Sequence, residues 1–250
     1  MTLLRGFALI PDVKTITTRR WPATLIALLS LSFLANFAVF GDEAADYFLR
    51  GSGKGQRRDF NGAIADFDKA IELKPDFAEA YNARGLANGA LAKNPNDTAR
   101  ALADYDKAIE LKPDFAEAYY NRAVVKQAKG DRTGALADQS KAIELKPDYA
   151  QAYFNRGMVK AASRDLGGAM SDYNKAIELK PDAAIAYSSR GLLKQAQGDL
   201  DGAMTDYNKA IELKPDYSLA YQNRGNLKKA NGDLVGAQAD YKKAVEFRGR

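Results

Sequence analysis

The chain has 250 residues, of which 46% are hydrophobic and 28% charged, so it can form a substantial folded core. It contains neither cysteine nor histidine, which excludes disulfides, thiolate metal sites, cysteine nucleophiles and all chemistry that depends on imidazole. Residues 1–41 carry +3 of the net charge of +5, whereas the 33 basic and 31 acidic residues of 42–250 nearly balance, so we expect no nucleic-acid partner.

The N-terminus has the pattern of a targeting segment. Residues 1–20 are basic, residues 21–41 (WPATLIALLSLSFLANFAVFG) contain no charge, and the acidic DEAAD follows directly. This order is typical of an export signal or of a membrane anchor whose N-terminus stays inside. The apolar stretch of 21 residues is long enough to span a bilayer. Val39 and Gly41 are small enough for cleavage before Asp42, the interpretation we prefer.

Both interpretations place the rest of the chain in the cell envelope. After cleavage it would be periplasmic or secreted. Without cleavage it would be anchored in the inner membrane through residues 21–41, with the remaining residues outside the cytoplasm.

The stretch RGSGKGQ (50–56) partly matches a phosphate-binding loop, because Lys54 follows Gly53. However, Phe48 stands where the first glycine of that motif belongs, and Gly55 replaces the Ser or Thr that would reach magnesium. The motif therefore does not indicate nucleotide binding, and we expect no cofactor.

An internal repeat occupies the rest of the chain. KAIELKPD or a near copy recurs with prolines at 75, 113, 147, 181 and 215, which are 38, 34, 34 and 34 residues apart. The second unit has four extra residues around KNPND (93–97), expected in the turn between two helices. Positions are numbered 1–34 within each unit. The six units are 44–77, 78–115, 116–149, 150–183, 184–217 and 218–250.

Several positions of the unit have a clear physical role. Position 4 is always tyrosine, position 8 is glycine or alanine, positions 20 and 27 are alanine, and position 24 is aromatic except for Gln139. Small residues allow two helices to approach closely, while the tyrosine fills space between units. DFAE at 76–79 and 114–117 has capping-box spacing. Glycine ends the first helix and aspartate caps the second at Gly130–Asp131, Gly198–Asp199 and Gly232–Asp233.

These positions make the unit similar to the tetratricopeptide repeat (TPR), a pair of antiparallel helices, over about four-fifths of the chain. The resemblance implies an all-α fold, a helix-turn-helix repeat solenoid of about twelve antiparallel helices in a right-handed superhelix. One helix pair cannot bury its apolar face alone, so neighbouring units must stack. We expect a monomeric solenoid without a catalytic or metal site.

Two positions depart from the family pattern. Position 7 is usually large and apolar in the family but is arginine in all six units, and position 23 is aspartate in all six. We predict a ladder of ion pairs between first and second helices, because the arginine fork can bind a carboxylate with two hydrogen bonds. The alternative is that each charge is solvated and pairs only along its own helix, as between Asp138 and Lys141.

The resemblance also implies a binding surface. TPR arrays generally act as scaffolds whose concave groove holds a peptide or partner helix, and positions 2, 5, 9 and 12 of the first helices face that groove. The alternative is that these side chains only pack against neighbouring helices. No unit has the lysine at position 5 that members binding chaperone tails require. The groove residues implied here are Phe48, Asn82, Tyr120, Val124, Gln127, Phe154, Met158, Leu192, Gln195 and Asn226.

We therefore predict a non-catalytic scaffold of the cell envelope that binds a protein or peptide partner. The alternative is a structural or assembly factor acting through the anchor or the solenoid ends. Gln238 and the charged last helix predict a solvated C-terminal face, which weakens end-to-end stacking. An enzyme is disfavoured, because the paired carboxylates recur in register with the repeat and form no unique site.

Overall fold

A computed structural model describes residues 43–91 and 95–248, so the predicted signal or anchor segment lies outside the described residues. These two ranges contain twelve α-helices and no strand. None of the twelve helices is long and apolar enough to cross a membrane. The helices are α1 (Glu43–Gln56), α2 (Phe60–Leu73), α3 (Ala78–Leu91), α4 (Pro95–Leu111), α5 (Ala116–Ala128), α6 (Arg132–Leu145), α7 (Ala150–Ala162), α8 (Leu166–Leu179), α9 (Ala184–Ala196), α10 (Leu200–Leu213), α11 (Ser218–Ala230) and α12 (Leu234–Phe247).

The helices stack in chain order, so the predicted all-α repeat solenoid is confirmed. The most extensive contacts join the two helices of each unit, and each second helix then packs against the first helix of the next unit. First helices of successive units also contact each other, for example α1 with α3 and α5 with α7. The first helices, which carry the odd numbers, therefore form the inner wall of the solenoid.

Aspartates begin the second helices. In five units an aspartate carboxylate accepts a hydrogen bond of 2.8–2.9 Å from the backbone N–H of the glycine three residues later. A Cβ at that glycine would collide with the carboxylate, as at Gly168. The predicted helix-ending glycines adopt φ of +83° to +86°, which other residues rarely tolerate. The capping aspartates are Asp59, Asp131, Asp165, Asp199 and Asp233.

Two predictions about helix starts are wrong. The capping box does not form at 114–117, because the N-cap of α5 is Phe115 and its side chain makes no capping bond. The carboxylate of Glu117 instead pairs with Lys146. The inserted residues of unit two also do not all lie in a turn, since α4 starts at Pro95 and has 17 residues, compared with 14 in the other second helices. Proline is favoured in a first helical turn, where its missing N–H costs nothing.

Position 8 packs directly against position 24 of the same unit. A Cβ built on Gly157 would lie 2.7 Å from the ring of Tyr173, and the four other glycine units show the same closeness. Unit three has Ala123 at position 8 and Gln139 at position 24, so a larger residue in one helix accompanies the loss of the ring in the other. Gln139 is fully buried, and neither polar atom of its side chain has a hydrogen-bond partner among the described residues.

Replacing Gln139 by methionine should stabilise the protein. The substitution removes a buried amide that lacks partners while keeping an unbranched side chain of similar length, and we expect the free energy of unfolding to rise by about 1 kcal/mol. Urea unfolding followed by circular dichroism measures the change. Gln151→Met is the control, because Gln151 is exposed and should give little difference. A Gln139→Met variant that is less stable than wild type would contradict this account.

Candidate peptide-binding groove

A row of exposed apolar side chains runs along the inner wall at position 9. The exposed fractions are 49% for Leu86, 40% for Val124, 39% for Met158 and 45% for Leu192, so each presents a large part of its surface to solvent. Unit one has Ser52 at this position, and unit six has Asn226. The row is therefore apolar over four consecutive units and polar at both ends.

Two open clefts flank the first part of the row. One, of about 460 Å³, lies between units one and two and is lined by Phe60, Phe67 and Leu86. The other, of about 580 Å³, lies between units two and three and is lined by Leu86, Tyr120 and Val124. Leu86 thus separates two depressions, each large enough for an apolar side chain of a partner.

Several residues at position 5 face the next unit instead of the groove. Asn82 is buried, and its carbonyl oxygen accepts a hydrogen bond of 2.9 Å from Asn121. The hydroxyl of Tyr120 accepts one of 3.0 Å from Asn155. Both donors occupy position 6 of the following unit, and neither was predicted, although the recurrence of asparagine at that position was visible in the sequence. For Asn82 and Tyr120, the alternative that these side chains pack between helices therefore describes the structure better.

Of the remaining predicted groove residues, three contact other side chains and two are at least partly exposed to solvent. The half-buried ring of Phe48 lies 5.0 Å from that of Phe77, and the ring of Phe154 lies 5.6 Å from that of Tyr173. Gln195 accepts a hydrogen bond of 2.8 Å from the Tyr207 hydroxyl. The remaining two are the half-exposed Gln127 and the exposed Asn226.

The predicted ladder of ion pairs lies behind this wall and is confirmed in all six units. Each aspartate at position 23 is only 2–5% exposed and accepts hydrogen bonds of 2.6–3.2 Å from two nitrogens of the arginine at position 7. Lys141, considered above as a local partner of Asp138, pairs with Glu144 instead. The pairs are Arg50–Asp66, Arg84–Asp104, Arg122–Asp138, Arg156–Asp172, Arg190–Asp206 and Arg224–Asp240.

Each ladder carboxylate also receives a third contact that was not predicted. A lysine at position 11, one turn after the arginine, approaches the aspartate to 2.8–3.1 Å in five units. In unit two Asn88 occupies this place and donates a hydrogen bond of 2.9 Å. Positions 7 and 11 lie on the same face of a helix, and this spacing was the available signal. The buried carboxylates therefore have the partners that burial of a charge requires.

The ladder arginines also connect neighbouring units. From unit two onwards, the second terminal nitrogen of each arginine donates to position 25 of the preceding unit at 2.7–3.2 Å. Its guanidinium lies 4.5–5.6 Å from the ring of the tyrosine at position 4 of its own unit. One side chain thus joins two helices of one unit to the unit before. The acceptors are Asp68, Asp106, Ser140, Asn174 and Asn208.

The ladder changes the acidity of the carboxylates at both ends of the solenoid. Hydrogen bonds from Arg50, assisted by Lys54, lower the pKa of Asp66 from 3.8 to about 2, although burial opposes the change. Burial raises the pKa of Asp240, but the hydrogen bonds from Arg224 and Lys228 outweigh it, so that this pKa is also lowered. Both carboxylates are therefore charged at neutral pH.

The C-terminal end of the solenoid is less polar than predicted. On α12 the exposed fractions are 65% for Leu234, 84% for Val235 and 67% for Val245. Gln238 and Lys242 lie between the valines, so the face carries charge but also a strip of uncovered apolar surface. The terminal face is therefore exposed to solvent, as expected, but it is not uniformly polar.

Family models identify the repeats. A TPR repeat model matches residues 56–91, 96–130, 164–198 and 194–232, and a tetratricopeptide repeat model matches residues 116–149. The chain belongs to the tetratricopeptide repeat family. Proteins of this family bind protein or peptide partners and are generally non-catalytic.

Solved TPR structures resemble the chain over most of its length. A MamA protein is 28% identical, covers 78% of this chain and 98% of its own, and has a TM-score of 0.58. YrrB is 26% identical, with coverages of 73% and 92% and a TM-score of 0.59. PilF of Pseudomonas aeruginosa is 18% identical, with coverages of 83% and 97% and a TM-score of 0.72, and shows the fold alone. No curated protein sequence matches the chain.

The depressed pKa of Asp66 predicts a loss of stability in acid. A lowered native pKa adds stability that is complete above the unfolded value of about 3.8 and disappears as pH falls through about 2. The difference in unfolding free energy between wild type and Asp66→Asn should therefore shrink between these two pH values, as measured by urea unfolding.

Asn174→Ala is the control, because it removes a neutral acceptor of the same ladder. Its free energy of unfolding should vary with pH in the same way as that of wild type. A constant difference between wild type and Asp66→Asn from pH 4 to pH 2 would contradict the assignment of the lowered pKa to Asp66.

Proposed function

We propose that this TPR protein is a non-catalytic scaffold that binds a peptide or helix of a partner protein in its concave groove. The observation that carries the proposal is the row of Leu86, Val124, Met158 and Leu192, four large apolar side chains that remain 39–49% exposed on consecutive units. A continuous exposed apolar strip with polar ends is typical of a surface that another protein covers.

The placement of charge supports this function. The arginine, lysine and aspartate side chains of the ladder are engaged with one another between the two helices of each unit, on the other side of the first helices from position 9. The apolar row is therefore free of strong local charge over its central units. Among the solved relatives, YrrB is described as a TPR protein with an unusual peptide-binding site.

We also propose export to the cell envelope, which rests on the basic, apolar and acidic order of residues 1–42. Trp21 is the only tryptophan of the chain, so a mature protein starting at Asp42 has none. The intact mass and tryptophan absorbance of protein purified from its own host distinguish a cleaved signal from a retained anchor.

A second candidate function is assembly through the solenoid end. The exposed Leu234, Val235 and Val245 of α12 favour it, because an uncovered apolar face at the last repeat is suited to a contact with another protein. The anchor would act in the same direction if residues 21–41 stay in the membrane.

Replacing residues of the exposed row by glutamate should weaken binding of a partner in the groove. Tagged full-length protein is cross-linked in intact host cells, and proteins recovered with wild type are compared with those recovered with Met158→Glu/Leu192→Glu. We expect at least a tenfold loss of a specific partner, because two buried unpaired carboxylates would be unfavourable in the complex. Both positions are exposed, so circular dichroism should report an unchanged fold.

Val235→Glu/Val245→Glu is the matched control, since it charges two exposed apolar residues outside the groove. A partner that is retained by the groove variant but lost with this end variant would contradict the groove proposal and favour assembly through the C-terminal face.

A further inference from the structure

The solenoid has a pocket between units four and five whose origin is seen by comparing these units with the other repeats. A cavity of about 380 Å³ opens between units four and five and is lined by Phe154, Ala176, Ala183, Ile185 and Leu213. Lys180, Lys214 and Asp182 also line it, so its charged side chains are two cations and one anion. The cavity adjoins the groove, because Phe154 and Ile185 lie at positions 5 and 2 of their first helices.

The cavity lies where the other units have an aromatic ring. Position 34, the last residue of the unit, is Ala183 only in unit four. The backbone is the same in every case, because the N–H of position 34 donates to the carbonyl of the lysine at position 31 at 3.0–3.1 Å in all five units that have this turn. The pocket therefore results from one missing side chain and not from a different backbone. The rings elsewhere belong to Phe77, Phe115, Tyr149 and Tyr217.

The partners of the missing ring are still present. In the other units the lysine ammonium at position 31 lies 4.9–5.5 Å from the centre of the ring. Where position 5 is also aromatic, the two rings are 4.9–5.0 Å apart, as in Tyr120–Tyr149. Unit four keeps both groups, as Lys180 and Phe154, and both line the open cavity.

Lys180 also lacks the glutamate partner that its equivalents in units two and three have. The equivalent lysine pairs with a glutamate at position 2 in units two and three, as Lys112–Glu79 at 2.8 Å and Lys146–Glu117 at 3.0 Å. Unit four has Gln151 at that position. Lys180 is exposed, and within the described ranges no carboxylate lies within ion-pair distance of it. Compared with units two and three, unit four therefore lacks both the ring and the glutamate that contact this ammonium group.

We propose that this pocket binds an aromatic side chain of a partner peptide, with a neighbouring Asp or Glu of that peptide paired to Lys180. The ligand would supply a ring between the position 5 side chain and the lysine, which the four other units with this turn provide themselves, and a carboxylate on the same lysine, which units two and three provide. This inference rests on the proposed groove function and adds the chemistry of the recognised segment.

The probe is the dipeptide N-acetyl-Phe-Asp-amide, titrated into the full-length protein while the methyl signals of Ile185 and Leu213 are followed by NMR. We expect saturable shifts of both signals. N-acetyl-Leu-Asp-amide should bind at least tenfold more weakly, because it has no ring, and N-acetyl-Phe-Asn-amide should bind more weakly because it has no carboxylate. Absence of a saturable shift with the Phe-Asp probe would overturn the proposal.

Ala183→Tyr fills the pocket with the residue that units three and five have there. We expect this variant to melt at a higher temperature than wild type and to bind the Phe-Asp probe at least tenfold more weakly. Ala196→Tyr is the control, since it adds the same ring at an exposed position outside the pocket and should leave binding unchanged. Undiminished binding by Ala183→Tyr would overturn the proposal.

Lys180→Gln tests the ion pair. It should weaken binding of the Phe-Asp probe more than that of the Phe-Asn probe, because the Phe-Asn probe loses only the contact between its ring and the ammonium, whereas equal weakening of both would overturn the assigned carboxylate contact. In cells, a partner that is lost with Met158→Glu/Leu192→Glu but kept by Ala183→Tyr would refute only the pocket. A partner kept by both variants would refute the groove function itself.

Discussion

The buried carboxylate at position 23 is the constraint on which the rest of the solenoid depends. A charge with 2–5% exposure is tolerated only when cations and hydrogen bonds surround it, and here the arginine at position 7 and the residue at position 11 supply them. This requirement turns one face of every first helix towards its second helix. Position 9 lies on the opposite side of the helix, so the ladder sets which residues are exposed on the inner wall.

The repetition provides an internal standard, and departures from it are informative. Ala123 with Gln139 shows a change in one helix matched by a change in the facing helix, at the cost of a buried amide without partners. Ala183 with Gln151 is a different case, because nothing in the described chain replaces the missing ring and carboxylate. The first departure concerns packing, whereas the second leaves a space whose chemistry the neighbouring units define.

Much of the fold and part of the groove could be predicted from the sequence. The period of 34, the small residues at positions 8 and 20, and the matched Arg and Asp predicted the helix pairs and the ladder. Position 9 was predicted in the groove and is exposed there, but Asn82 and Tyr120 bond to the following unit. Periodicity assigns a residue to a helix face, but it does not show whether the next unit covers that face. The pocket could be recognised only by comparing position 34 of unit four with the rings that four other units have there.

A double-mutant cycle on Arg190 and Asp206 tests the central claim most directly. Unfolding free energies are measured for Arg190→Ala, Asp206→Ala and the double variant. If the pair is the buried, coupled contact described above, each single substitution should cost about 3 kcal/mol and the double variant little more, giving a coupling energy of about 2 kcal/mol or greater. Additive losses, with coupling below about 0.5 kcal/mol, would contradict the claim that these ion pairs hold the helices of each unit together.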